Sequence, residues 1–180
     1  MKGTIFVAGT YGVGKSTVCN HLSSALALPS FSAGDLISKV VGEKYGPNKV
    51  VKDKQLNQNV LSEQVKLLLQ QYASIILAGH FSIFNKNNEV DILPEFVYEN
   101  LQIRSILLLE TNVNRISTNL LERDGRNYST EQLEKLKTVE YKQAHKIAKK
   151  LDIPLLLYHM KFDEQDVERV YALFRKRGVI

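Results

Sequence analysis

Hydrophobic residues come in two kinds of run along this chain, and the two kinds alternate. Short apolar stretches read as buried strands: Ile5 to Ala8, Ser74 to Ala78, Ile103 to Leu109 and Pro154 to Tyr158. A further extended piece is expected at Pro29 to Ser32. Between them, apolar residues recur every three or four positions, the spacing of one helix face. Lys15 to Leu28 carries Val18, Leu22, Ala25 and Leu26 on one side and is stopped by Pro29. Gly34 to Lys44, Lys54 to Tyr72, Val113 to Arg123 and Asp163 to Lys176 follow the same rule. Ser129, with Thr130, Glu131 and Gln132 behind it, caps a long helix that runs to about Leu151. Pro94 suits the first residue of a short helix ending near Asn100. Tyr45 to Lys52 holds Gly46, Pro47 and Asn48 and reads as a loop, and Phe81 to Leu93 reads as polar and irregular.

Strand and helix alternate from end to end, which predicts a parallel sheet with helices on both faces. No repeat, low-complexity tract or linker divides the chain, so residues 1–180 are expected to form a single α/β domain. No apolar run approaches the ~20 residues of a membrane helix. Met1-Lys2-Gly3 leads straight into a strand, unlike a signal or transit peptide, so a cytoplasmic protein without a membrane partner is expected. The single cysteine, Cys19, excludes an internal disulfide and reads as a small buried thiol. A net charge of +5 raises the question of a nucleic-acid partner. The densest cations, Lys146, Lys149, Lys150 and Arg175 to Arg177, fall on helix faces and ends, so no dedicated nucleic-acid surface is expected.

Gly9-Thr10-Tyr11-Gly12-Val13-Gly14-Lys15-Ser16 is a complete GxxxxGKS sequence, behind a strand and in front of a helix. The glycines let the backbone curl so that successive N–H groups point at phosphate oxygens. The helix adds its positive N-terminal end. Lys15 supplies a point charge for the outer phosphates, the Ser16 hydroxyl can ligand Mg²⁺, and Thr17 can reach an inner phosphate. ATP and Mg²⁺ are the expected cofactors. The fold class is accordingly a three-layer α/β/α P-loop NTPase fold with a parallel sheet.

Three further groups lie where ligands of parallel sheets bind, beyond the carboxyl ends of the strands. In Ser32-Ala33-Gly34-Asp35-Leu36, Asp35 is a candidate to orient a substrate hydroxyl, and helix capping is the competing reading. His80, after Gly79 at the end of a strand, faces the expected γ-phosphate region. Arg123-Asp124-Gly125-Arg126 places two arginines around a glycine between two helices, as in a lid that closes over phosphates; a solvated turn is the alternative.

Over nearly its full length the chain resembles the P-loop nucleoside monophosphate kinases, and most of all the archaeal-type and nuclear adenylate kinases. The resemblance rests on the phosphate loop, on Ala78-Gly79-His80, on Leu108-Leu109-Glu110-Thr111 and on Ser32 to Leu36. It implies a five-stranded parallel sheet, an acceptor-binding helical segment at 34–72 and a lid at 123–129. It also implies catalytic roles for Lys15, Asp35, His80, Arg123 and Arg126. Two departures stand out: Ala78 replaces the aspartate of an Asp-x-His motif, and Lys142, Lys146 and Lys149 stand where the family places an arginine. The expectation is a monomeric kinase that moves the terminal phosphoryl group of ATP to a small acceptor, foremost a nucleoside monophosphate. The alternatives are a kinase of a nucleoside or polyol, and a nucleotide-controlled ATPase switch acting on a protein or RNA partner.

Overall fold

A computed structural model describes residues 2–42, 54–125 and 127–180. The expected loop at Tyr45 to Lys52 and the candidate Arg126 lie outside the described residues. Five strands form one sheet: β1 (Gly3–Ala8), β2 (Ser30–Ser32), β3 (Ser74–Ala78), β6 (Ile103–Glu110) and β7 (Leu155–His159). Their order is β2-β3-β1-β6-β7, and every pairing is parallel. The order turns outward on either side of β1, which places a crevice at its carboxyl end.

Alternation along β1 builds two cores. Phe6 and Ala8 face one side, against Leu61 and Val65 of α3 (Lys54–Gln71) and Ala144 and Ile147 of α6 (Thr130–Leu151). Ile5 and Val7 face the other, against Val18 and Leu22 of α1 (Lys15–Leu26) and Val170 and Phe174 of α7 (Asp166–Lys176). All six β1 residues are buried, as a central strand covered on both faces requires. A third cluster joins α5 (Val113–Asp124) to α6 through Ile116, Leu120, Leu133 and Leu136. None of the described helices is long and apolar enough to cross a membrane.

Most predicted elements are present, and the shifts have local causes. Helix α1 stops at Leu26, two residues early, because Ala27 turns left-handed at φ 51° and caps Ser23. Strand β7 begins after Pro154, whose carbonyl accepts the Ile106 N–H at 2.9 Å. Helix α7 begins at Asp166 rather than Asp163, because the Asp166 carboxylate accepts the backbone N–H groups of Lys161 and Phe162.

One expectation is corrected. The stretch Phe81 to Leu93 is not irregular throughout: β4 (Ser82–Phe84) and β5 (Val90–Ile92) form an antiparallel hairpin. Its turn is held by the Asn85 side chain, which accepts the Asn87 and Glu89 N–H groups, with Asn88 left-handed at φ 58°. The run of polar turn residues masks two strands of only three residues each. The hairpin leads into α4 (Phe96–Asn100), and α2 (Ala33–Val41) completes the helices in the described residues.

Candidate active site

The loop after β1 is built around backbone shapes that side chains resist. Gly9, Gly12 and Gly14 have φ values of 144°, 72° and 95°. A Cβ on Gly9 would sit 2.5 Å from the Leu109 carbonyl oxygen, so only glycine fits there. Gly14 is the N-cap of α1, leaving the first-turn N–H groups of that helix facing the loop. Lys15 folds back over the loop and donates to the carbonyls of Gly9 at 2.8 Å and Thr10 at 2.9 Å. From α5, the Asn119 side chain donates to the Gly12 carbonyl at 2.7 Å, fixing the loop to that helix.

Beneath the loop lies a buried carboxylate that sequence reasoning missed. Glu140 of α6 is 1% exposed. It accepts the N–H groups of Gly9 at 3.3 Å, Phe81 at 3.0 Å and Ser82 at 2.8 Å, and the Ser82 hydroxyl at 2.7 Å. One side chain thus holds the first glycine of the phosphate loop and the turn after His80. Burial pushes its carboxyl above the ordinary carboxylate range, against the pull of its Phe81 and Ser82 bonds and of the Lys15 charge. A signal was present in the sequence: Glu140 continues the apolar stripe of Leu133, Leu136, Ala144 and Ile147, where a charge has no solvent to face.

His80 lies at the same turn. The Tyr98 hydroxyl of α4 donates to its carbonyl at 2.8 Å. Burial first, then the Glu140 charge, hold the Tyr98 phenol well above its usual range, so it stays a donor. The His80 ring packs on Tyr11 of the phosphate loop with centroids 4.5 Å apart. Tyr11 stacks on Phe84 of the hairpin at 6.2 Å, and Phe84 on Tyr128 at 4.9 Å. An aromatic column therefore runs from the phosphate loop through the hairpin to the segment between α5 and α6.

A cleft of about 400 Å³ opens over these groups. Tyr11 to Thr17, Ser32, Ala78, His80 and Arg123 lie on its wall. Gly9 and Thr10 are buried below it. Arg123 lies one turn beyond Asn119, and its guanidinium donates to the Asp124 carboxylate, which holds it charged. Asp35 is exposed and does not line the cleft; its N–H is capped by Ser32 at 3.4 Å, which realises the capping alternative. The cleft continues between α2, α3 and α4, where Asn57 and Gln58 line it among apolar side chains.

The glycine cradle, the helix N-terminus and Lys15 suit a nucleoside triphosphate. No group of three or more His, Cys, Asp or Glu side chains able to hold a metal occurs among the described residues. The Ser16 hydroxyl could hold a magnesium ion together with the phosphates and water.

A parallel sheet of this order, with a glycine cradle at the end of β1 and a lysine opening the next helix, defines a P-loop nucleotide-binding protein. A family model described as an AAA domain matches residues 8–137, more than two thirds of the chain, and the protein belongs to that family. No curated protein matches the chain. Among solved structures it is similar to a gluconokinase from Sinorhizobium meliloti, at 12% identity and TM-score 0.63, covering 99% of this chain and 94% of that one. It is also similar to shikimate kinase from Acinetobacter baumannii in complex with shikimate, at 15% identity and TM-score 0.64, covering 100% and 97%. A sugar kinase from Janibacter gives 15% identity and TM-score 0.62, covering 97% and 95%. The fold is that of P-loop kinases; these structures do not single out adenylate kinases.

Proposed function

We propose that the protein is an ATP- and Mg²⁺-dependent kinase of a small acceptor, a nucleoside monophosphate. The observation that carries this reading is the continuity of the cleft. One cavity joins the phosphate loop to a pocket between α2, α3 and α4, with Lys15, His80 and Arg123 on its wall. A donor phosphate and a second substrate can meet there, which a pure nucleotide switch does not need.

Mg²⁺ when bound would neutralise phosphate charge. The protein's own work is positioning and electrostatic stabilisation. The loop N–H groups and Lys15 hold the donor phosphates. The Ser16 hydroxyl would hold the metal. Arg123 places its fixed charge over the transferring group, and Arg126 joins it in the proposed lid at 123–129. His80 holds its ring at the meeting point of the two substrates. A phosphate acceptor is already anionic and needs no base; a hydroxyl acceptor would need one, and Asp35 is the candidate only if α2 swings inward. The acceptor segment proposed at 34–72 holds the second substrate through α2 and α3, its described parts.

A sugar or sugar-acid acceptor is the second reading, favoured by the fold's likeness to gluconokinase and shikimate kinase. The test is transfer from γ-labelled ATP, with Mg²⁺, to nucleoside monophosphates, nucleosides, gluconate, shikimate and water, with Lys15→Ala as the blank. A labelled nucleoside diphosphate absent from the blank is the expected result. Label appearing only on a sugar acid, or only as inorganic phosphate, would overturn the nucleoside monophosphate reading.

A further inference from the structure

The acceptor half of the cleft has an unusual balance of chemistry. Its wall is apolar, formed by Phe6, Ile37, Leu61, Val97, Tyr98 and Leu101. Among the described residues lining the whole cleft, the cations are Lys15 and Arg123. Both belong to the phosphate end: Lys15 is in the loop, and Arg123 follows Asn119, which is bonded to Gly12. The polar residues with which α3 lines the cleft are instead two neutral carboxamides, Asn57 and Gln58, each only 5% exposed. The Gln58 Oε1 is buried and accepts no hydrogen bond among the described residues. A buried carbonyl in that state is unfavourable unless a ligand donor reaches it.

This balance discriminates between acceptors. A carboxylate placed against these apolar side chains would lose its hydration. A polyol would bring several hydroxyls to a wall that offers few partners. A flat heteroaromatic ring fits better: its faces meet Phe6, Tyr98 and aliphatic side chains, and its edge presents a donor beside an acceptor. A carboxamide offers the complementary pair, Oε1 to accept and Nε2 to donate.

We propose that Gln58 is the specificity-determining residue of the acceptor pocket, reading the hydrogen-bonding edge of an uncharged nucleobase through its carboxamide. The inference rests on the nucleoside monophosphate reading above and adds the residue that selects the base.

The test separates the two. Wild-type protein, Gln58→Leu and Gln58→Glu are assayed for transfer from ATP to AMP, CMP, GMP, UMP, shikimate and gluconate, with KM and kcat resolved for donor and acceptor. Thermal melting with and without Mg-ATP reports that each variant folds and binds the donor. Leucine keeps the bulk and removes both polar atoms. It is expected to raise the KM for the preferred monophosphate tenfold or more while the KM for ATP holds. Glutamate keeps an acceptor and removes the donor. It is expected to shift preference toward GMP, whose N1–H and N2–H groups both donate to a carboxylate. A monophosphate turned over with the same acceptor KM in all three proteins would overturn the role of Gln58 and leave the kinase reading standing. Transfer by the wild type to shikimate or gluconate alone, or to no acceptor, would overturn the monophosphate reading and this inference with it.

Discussion

At the residue scale, the carboxylate of Glu140 joins stability to function. It satisfies three backbone N–H groups that no solvent reaches, so removing it leaves those donors bare. Glu140→Ala is expected to lose ~3–5 kcal/mol of stability, read as the urea midpoint. Glu140→Gln keeps the shape but turns an NH₂ toward backbone donors, and its midpoint is expected to fall between the two. Gly79 carries a quieter constraint. A Cβ there would lie 2.6 Å from the Phe6 ring, which lines the cleft. Gly79→Ala should therefore displace Phe6, cost about 1–3 kcal/mol and change acceptor KM more than donor KM. Cys19 is inert for a physical reason: burial pushes its thiol up to about 12 from 9.0, with Lys15 opposing only weakly. Because the folded value is the higher one, its contribution to stability is complete below pH 9.0 and is lost as pH rises toward 12. Alkylation at pH 8 should be slow in the native protein and fast in urea, with the native rate failing to rise through pH 9; a native rate equal to the denatured one would refute the burial argument.

At the element scale, the aromatic column couples parts far apart in sequence. Tyr11, His80, Phe84 and Tyr128 come from the phosphate loop, the end of β3, the hairpin and the segment before α6. Phe84→Ala, at 7% exposure, is expected to cost about 3 kcal/mol and to lower kcat more than it raises the KM for ATP. Unchanged kinetics at equal stability would show the column to be packing alone. The hairpin also shows where sequence reading loses its grip. The buried strands, the amphipathic helices and the glycine loop announce themselves by long apolar runs, fixed periods and a motif whose chemistry demands its spacing. Strands of three residues have no period to detect, and Asn85 to Asn88 dominate their surroundings. Long-range contacts were equally silent: nothing near Asn119 points to Gly12, over a hundred positions away. Asp35 looked catalytic because it follows a strand, yet its side chain stands outside the cleft while Ser32 caps the helix. Glu140 was legible in principle, as a charge set in an apolar stripe.

At the scale of the whole molecule, donor binding and folding are one equilibrium. A ligand that occupies the loop at about one hundred times its Kd adds roughly 2.7 kcal/mol, or about 5–10 °C in Tm for a chain of this size. Mg-ATP is expected to raise the melting temperature by that order, and Lys15→Ala to abolish the rise. The position of Glu140 on α6 also sets which lengths of chain this architecture tolerates. Each residue added to a helix turns everything behind it by about 100°. An extra residue before Ser129 changes only the span that leads into the helix. An extra residue between Ser129 and Glu140 swings the carboxylate out of the seam, strands the Gly9, Phe81 and Ser82 N–H groups and puts a neighbouring side chain in their place. Length variation among related chains should therefore gather ahead of Ser129 and be absent between Ser129 and Glu140, as though the first three turns of α6 were a ruler cut to one size.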